Sequence, residues 1–421
     1  MQQAKEFSIG PIDLVIVDLY PFTETVQKGG SLEDIVEKID IGGIALIRGG
    51  AKNFNDVLIV SSRDQYDELL NLLKSKNGTT ELADRQRFAT LAFDVTSHYD
   101  SAIFHYFNWE QQIPSLKLSE QHGKVLRYGE NPHQRGTFYG NLEALFDQLN
   151  GKELSYNNLV DADAALNLLG EFRGETSFVV IKHTNACGAA TGTSVKDAYL
   201  KAFQADTVSA FGGVLATNAT LDRDAAEEIS KLFFEILIAP DYTTEGLELL
   251  RSRKNRIILK QKQELHVNRQ FKSLLNGVIE QEPDFKTDSR EDLKTVTKRP
   301  PSEGEIRALL FASKIAKHTK SNTIVLAVEG QLLASGVGQT SRVDSLRQAI
   351  EKAKSFGFDL KGAVMASDAF FPFPDCVEIA HQQGIQAIIQ PGGSIKDQDS
   401  IDLCNQYNMA MVFTGFRHFK H

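Results

Sequence analysis

From residue 323 to the carboxyl end, short apolar and β-branched runs alternate with helical patterns, and this alternation restricts the fold more than any other feature of the chain. Strands are expected at 323–328, 363–366, 387–390 and 411–414, and helices at 342–354 and 375–383. Such alternation specifies mixed α/β layers, whose ligands sit in loops at strand carboxyl ends. Polar loops, several of them rich in glycine, stand at those places here. A chain of 421 residues exceeds what one core usually supports, so two or three domains are expected.

Charge and composition narrow the function. The net charge of −9 argues against a broad nucleic-acid surface and leaves room for local basic sites. No apolar run approaches the roughly 20 residues needed to cross a bilayer. The apolar stretch 12–19 is interrupted by Asp13 and Asp18 and has no small-residue cleavage site, so no signal peptide is expected. Cys187, Cys376 and Cys404 are far apart and odd in number, which fits a reducing compartment and neither a disulfide framework nor a cysteine-rich zinc site. A cytoplasmic protein with no membrane or nucleic-acid partner is expected.

The amino-terminal part reads as α/β as well. Residues 12–17 have the pattern of a buried parallel strand, and Val57-Leu-Ile-Val60 that of a second. Ser31 and Asp34 resemble a capping box ahead of Ile35, Val36 and Ile39. Asp40-Ile-Gly-Gly43 opens another helix, and a long helical pattern runs over 84–108. Only two strands precede that helix where a compact α/β domain should have four or five, so the domain, taken as 1–113, is expected to be partial on its amino-terminal side. A linker with Pro114 leads to a second region over 119–421. That region is divided into 119–280, a charged connector 281–301, and 302–421, whose first helix opens on a Ser302/Glu305 capping box.

Several loops carry groups suited to chemistry. Arg127-Tyr-Gly-Glu-Asn-Pro-His-Gln134 offers a guanidinium, a phenol and a sharp turn. Arginine pairs bidentately with phosphate, although on spacing alone a turn with an exposed arginine serves equally well. Lys182-His183 follows the 178–181 strand and opens a polar loop over 182–188. A lysine there could face a developing oxyanion and a histidine act as base near neutral pH. Taken alone, a solvated lysine beside a loop histidine is the commoner arrangement. Gly336-Val-Gly-Gln-Thr-Ser-Arg342 suits an anion or a polar ring but is neither a Walker loop nor a dinucleotide fingerprint. Ser367-Asp-Ala-Phe-Phe-Pro-Phe-Pro-Asp375 could hold a flat heterocycle, though phenylalanines are more often core. The basic tail after Thr414 could be a solvated end. Zinc-deaminase spacing is absent, since Pro374-Asp375-Cys376 lacks the second cysteine, and no metal is expected.

Taken in order, these motifs are similar to one family. Asp18-Leu-Tyr-Pro-Phe22, Ile39-Asp-Ile-Gly-Gly43, Ala51-Lys-Asn53, the 127–134 loop, Lys182-His183 with Asn185-Ala-Cys-Gly188, and Ser209-Ala-Phe-Gly-Gly213 come first. Gly336 to Arg342, Ser367 to Asp375 and Arg417-His-Phe-Lys-His421 follow. Over essentially the entire chain this resembles the bifunctional purine-biosynthesis family that joins AICAR formyltransferase to IMP cyclohydrolase.

The resemblance implies a partial methylglyoxal-synthase-like domain followed by two cytidine-deaminase-like subdomains without zinc. It implies a homodimer with shared sites and formyl transfer from 10-formyltetrahydrofolate to the 5-amino group of AICAR. His183 then resembles the base, Lys182 its cationic partner, and Asn322 the group orienting the reacting centre. Arg127, Tyr128 and Arg417 resemble residues holding the AICAR nucleotide, and Phe211, Gly212, Glu235 and Arg342 line its site. Phe370, Phe373, Asp375, Ser394 and Ile395 resemble the folate side. For the cyclohydrolase step Tyr20, Asp40 and Lys52 match, with Asp18 and Ile41 as ligand contacts.

Some positions depart from the family pattern. Glu235 stands where relatives have Asp, Asp18 replaces Asn, Gly49-Gly50 replaces an alanine pair, and Leu275-Asn276-Gly277 loosens a glycine pair. The family's Ser-Val-Ser-Asp-Lys and Lys-Thr-Leu-His-Pro type segments do not occur, so ring closure is expected to be impaired while formyl transfer survives. A non-catalytic binder of AICAR or folate and a transferase without folate are the competing readings.

Overall fold

The computed structural model describes residues 6–7 and 10–421. Residues 1–5 and 8–9, where the first expected domain begins, lie outside the described residues. The chain divides into two compact units, Met1–Lys124 and Val125–His421.

In the first unit, β1 (Leu14–Ile16) and β2 (Leu58–Val60) pair in parallel, Val15 opposite Ile59. Around them stand the helices Phe22–Gln27, Leu32–Val36, Ile41–Lys52, Tyr66–Ser75 and Leu82–Gln111. Ser31 caps Leu32–Val36, accepting from Asp34 N at 3.1 Å, and Asp40 caps Ile41–Lys52, accepting from Gly43 N at 2.6 Å. A core of Ile47, Ala51, Ile59, Ala89 and Ala92 fixes β2 beneath two helices. The first strand is not buried as expected. Leu14 is 39% and Ile16 48% exposed, because successive side chains point to opposite faces and only Val15 packs on that core.

The second unit is built on one large sheet. β3 (Gly123–Val125) lies at the junction, and β4 (Thr137–Tyr139), β5 (Phe146–Asn150), β6 (Ser177–Lys182), β7 (Asn185–Thr191), β8 (Val214–Thr217), β9 (Ile236–Ala239) and β10 (Ile257–Gln261) follow. Next come β11 (Gln270–Leu274), β12 (Gly277–Gln281), β13 (Lys294–Thr295), β14 (Ile324–Val328), β15 (Gln331–Gly336), β16 (Val364–Ser367), β17 (Ala387–Gln390) and β18 (Ala410–Phe413). Twelve of these form a single sheet in the order β13-β18-β17-β16-β14-β15-β7-β6-β8-β9-β10-β5.

That order is a repeat. The antiparallel hairpin β6–β7 is followed by β8 antiparallel to β6, then β9 and β10 in parallel, with β5 antiparallel at the edge. The hairpin β14–β15 is followed in the same way by β16, β17 and β18, with β13 antiparallel at the other edge. Antiparallel pairing of β15 with β7, Gln331 opposite Ala190, joins the halves.

Side chains alternate across the sheet with period two. Val179, Ile181, Val325 and Ala327 enter one core, shared with Leu166 and Leu168 of the helix Tyr156–Leu169 and with Leu309 and Ile315 of the helix Glu303–His318. Phe178 and Val180 enter a second core on the opposite face, and Ile324 and Leu326 a third. The result is three layers, helices on both faces of a mixed sheet.

Three further expectations need correction. Residues 185–188, expected in a polar loop, begin β7, because pairing with β6 and the helix Val195–Gln204 buries Ala186, Cys187 and Gly188. The connector 281–301 is not a bare linker: it supplies edge strand β13, with Lys294 opposite Phe413. The tail is not a solvated end, since His418 is 5% exposed. Among the described residues no helix is long and apolar enough to cross a membrane.

Candidate active site

One edge of the twelve-stranded sheet gathers most of the expected transferase residues. There β6 ends at Lys182, β7 starts at Asn185, and β8 and β9 start just after Gly212 and Glu235. The second half brings to the same edge the start of β14 after Asn322, the end of β15 before Arg342, and the ends of β16 and β17.

His183 occupies the apex of the β6–β7 hairpin. Two residues, His183 and Thr184, make the connection with φ of +50° and +64°, so both take the left-handed region that a two-residue turn of this twist requires. Asparagine and glycine normally fill such turns, and a β-branched threonine with positive φ is an outlier. The strain is of order 1–3 kcal/mol per residue and persists only where the surroundings hold it. Asp161 Oδ1 accepts from Thr184 N at 2.7 Å, and Asn185 Nδ2 donates to the His183 carbonyl at 2.8 Å. The imidazole is left exposed.

Lys182 turns back along the strand end, its Nζ donating to the Phe211 carbonyl at 2.5 Å. Gly212 adopts φ +69°, and a Cβ there would stand 3.3 Å from Lys182 Nζ, so glycine leaves the ammonium its room. Phe211 packs on Phe233 at 5.0 Å between ring centroids while remaining 61% exposed. Glu235 pairs with Lys152 at 2.8 Å.

Asn322 is fixed from the second half. It exchanges backbone hydrogen bonds with Gln339 at 3.1 and 3.2 Å, and its Nδ2 donates to the Gln339 carbonyl at 3.0 Å. The Ser321–Asn322 peptide is cis. Two residues earlier, Lys320 N donates to Asn185 Oδ1 at 3.0 Å, linking this loop to the His183 hairpin.

Arg342 opens the helix Arg342–Ser355 and points inward to Asp368 Oδ1 at 3.3 Å and Ser367 Oγ at 3.3 Å. Burial lowers its pKa, partly offset by Asp368. Asp368 is itself fully buried and accepts from Ser321 Oγ at 2.5 Å. The tail closes over this group: Ser321 N donates to the Lys420 carbonyl at 2.8 Å, and Arg417 lies 4.3 Å over the Phe419 ring. His418 Nδ1 meets Asp284 at 2.7 Å and Nε2 stands 3.4 Å from Asp288. Burial disfavours its charge, but these carboxylates outweigh that and raise its pKa to about 9.

Other expected residues stand as follows. Arg127 Nη2 donates to the Tyr128 hydroxyl at 3.0 Å, in a turn closed by Gly129 N to the Gln134 carbonyl at 2.7 Å and tied to Asn157 through the Glu130 carbonyl at 3.1 Å. Phe371 is core, whereas Phe370 and Phe373 are exposed beside Asp375, the first residue of the helix Asp375–Gln382. Ser394 N donates to Asp397 at 3.1 Å, and Ile395 is fully exposed. Asp161, Asn185, Gln339 and Asp368 were not among the expected site residues. Asn185, Gln339 and Asp368 lay inside quoted motifs, and Asp161 lay outside all of them.

In the first unit Tyr20 N donates to Asp40 Oδ2 at 3.3 Å, and Ile41 is exposed beside them. Asp18 Oδ2 accepts from the Tyr66 hydroxyl at 2.8 Å and Arg63 Nε at 3.1 Å. Lys52 is not brought to Asp40. The two mark opposite ends of the helix Ile41–Lys52, about 18 Å apart at 1.5 Å per residue. Among the described residues no group of three or more His, Cys, Asp or Glu could hold a metal ion.

Comparison with known proteins bears on this arrangement. The family model described as AICARFT/IMPCHase bienzyme matches residues 50–352. The chain is 58% identical over 421 residues to the bifunctional purine biosynthesis protein PurH of Bacteroides thetaiotaomicron, covering 100% of this chain and 83% of that protein. It is 47% identical over 429 residues to PurH of Aquifex aeolicus, covering 100% and 84%. Among solved structures, the crystal structure of ForH matches 25% of this chain and 56% of its own, at 32% identity and a TM-score of 0.21. These coverages give no support to the expected loss of the amino-terminal part of the first domain.

Proposed function

The chain belongs to the AICARFT/IMPCHase bienzyme family, and we propose that Lys182, His183 and Asn322 carry its formyl transfer to AICAR. It is an AICAR formyltransferase of purine biosynthesis. The assignment of residues rests on one observation, His183 held at the apex of a strained two-residue turn beside a tethered lysine, and 10-formyltetrahydrofolate as donor is taken from the family.

The 5-amino group of AICAR is a weak nucleophile, because the adjacent carboxamide withdraws electron density. As its nitrogen attacks the formyl carbon, His183 takes the amine proton. Lys182 faces the oxyanion of the tetrahedral intermediate with the ammonium hydrogens that the Phe211 carbonyl leaves free. Collapse breaks the bond to N10 of the folate, which regains a proton as tetrahydrofolate leaves. Asn322 orients the reacting carbonyl.

Arg127, Tyr128, Arg342 and Arg417 are assigned to the nucleotide, and Phe211, Gly212 and Glu235 to its surroundings. Phe370, Phe373 and Ile395 offer exposed apolar surface beside Asp375 and Ser394, as a flat heterocycle with a polar edge requires. Two cytidine-deaminase-like subdomains suit the repeated sheet, and a cytoplasmic homodimer with shared sites suits the exposed Phe211. Cyclohydrolase chemistry, with Tyr20 and Asp40, falls to the first unit.

The test is turnover by purified protein given AICAR and 10-formyltetrahydrofolate, with His183→Ala in parallel. Release of tetrahydrofolate that disappears in the variant supports the assignment. Full activity in the variant removes His183 as base, and no turnover by folded wild-type protein leaves only a binding role.

A further inference from the structure

The helix Tyr156–Leu169 carries two polar side chains one turn apart, Asn157 and Asp161, and each ends on a loop of the site. Asn157 holds the Glu130 carbonyl of the Arg127 turn. Asp161 holds the backbone N–H of Thr184, the second residue of the His183 turn, at 2.7 Å. From the other side Asn185 donates to the His183 carbonyl and accepts from Lys320 N, which lies two residues before Asn322.

A His-Thr pair has no intrinsic preference for the conformation seen. Positive φ costs a non-glycine residue roughly 1–2 kcal/mol, so an untethered turn would relax and carry the imidazole with it. The groups opposing that relaxation are the Asp161 carboxylate, the Asn185 amide and, within the turn, the Thr184 hydroxyl, which also donates to the His183 carbonyl at 2.7 Å. Asn185 also spans the two halves of the sheet unit, since His183 belongs to the first hairpin and Lys320 precedes the second. One amide therefore sets the position of the base relative to the residue that orients the reacting carbonyl.

We propose that Asp161 and Asn185 are positioning residues for formyl transfer, clamping the His183 turn from the helix Tyr156–Leu169 and tying it to the Asn322 loop. This rests on the proposed role of His183. Neither side chain touches substrate in this scheme, so their loss should slow the chemical step more than it weakens binding, because small misplacements of a reacting group lower rate steeply.

Four variants test it in steady-state formyl transfer: Asp161→Ala, Asp161→Asn, Asn185→Ala and His183→Ala. Asp161→Ala and Asn185→Ala should each lower kcat about 10- to 100-fold with the KM for AICAR within about 3-fold. Asp161→Asn keeps the accepting oxygen and should stay within about 3-fold of wild type in kcat. The proposal is overturned if both alanine variants keep wild-type kcat while His183→Ala is inactive. It is also overturned if their kcat and KM deteriorate together in protein of lowered thermal stability, the mark of a general structural role. Full activity in His183→Ala would instead sink the assignment of the base.

Discussion

Lys317 and Glu171, 146 positions apart, form an ion pair of 2.7 Å in which both side chains are almost wholly buried. Glu171 also accepts from Thr287 Oγ1 at 2.5 Å and stands 2.9 Å from His318 Nε2. Burial opposes its charge, yet His318, Lys317 and Thr287 bring its carboxyl down to about 2. Removing one member of such a pair strands a buried charge, at a cost of about 3–5 kcal/mol. Glu171→Ala should therefore lower stability in denaturant unfolding by that amount, and Glu171→Ala with Lys317→Met should recover much of it. Equal losses in the single and double variants would refute the burial argument.

The tail should be pH-sensitive. His418 has its folded pKa raised from 6.5 to about 9, so its stabilising contribution is full below about pH 6.5, declines as pH rises, and is gone above about 9. Hydrogen exchange of residues 415–421 should quicken between pH 7 and 10 beyond the intrinsic base-catalysed increase. In Asp284→Asn that excess should be smaller and should level off at lower pH, because the onset is set by the unfolded value and only the folded pKa falls. An excess of unchanged size and range in the variant would exclude the Asp284 contact as the anchor.

Lys182 should affect rate more than binding. Lys182→Met is expected to lower kcat about 10²- to 10³-fold, as loss of an oxyanion donor does elsewhere, with AICAR affinity changed little. A tenfold rise in AICAR Kd with kcat preserved would place the lysine on the nucleotide instead.

Gly336 marks close packing of β15 on the helix Arg342–Ser355, where a Cβ would stand 1.8 Å from the Ser345 carbonyl oxygen. Backbone must shift to admit a methyl group, and Gly336→Ala should cost at least about 1–3 kcal/mol in thermal unfolding. Because Asn322 is held by Gln339, three residues further on, the same variant should also slow turnover. A fully stable, fully active variant would contradict the packing described.

The first unit makes a separate prediction. Tyr20 N donates to Asp40 Oδ2, and Asp40→Ala should slow closure of the formylated nucleotide to IMP while leaving formyl transfer unchanged, so that chromatography of the products shows formylated nucleotide accumulating. Unchanged IMP formation by that variant would remove Asp40 from the cyclohydrolase site.

Strands built of larger apolar residues could be read directly: Ala387–Gln390 has the expected bounds, and β14, β16 and β18 shift by one residue. Asn185–Thr191 was missed because Asn-Ala-Cys-Gly-Ala-Ala-Thr is made of small and polar residues with no large apolar side chain, and its strand conformation comes from neighbours on both sides. The His183 turn lacks the glycine or asparagine that normally announces such a turn. The family resemblance picked out Lys182, His183 and Asn322 as candidates, whereas Asp161 lies outside every motif and meets the His183 turn from a separate helix, a contact that local patterns do not encode. The tail's burial likewise depends on Asp284 and Asp288, more than a hundred residues upstream.

The outermost strands of the sheet have a consequence for the protein in a crowded solution. A twelve-stranded sheet with open flanks would be a template on which further chains could add. Here one flank is the two-residue β13, which begins with a lysine, and the other is β5, whose pairing with β10 slips register and which carries Asp147. Short, charged and irregular flanks do not template long ladders. The molecule can thus present a broad sheet in the cell while discouraging the edge-to-edge growth that ends in fibrils.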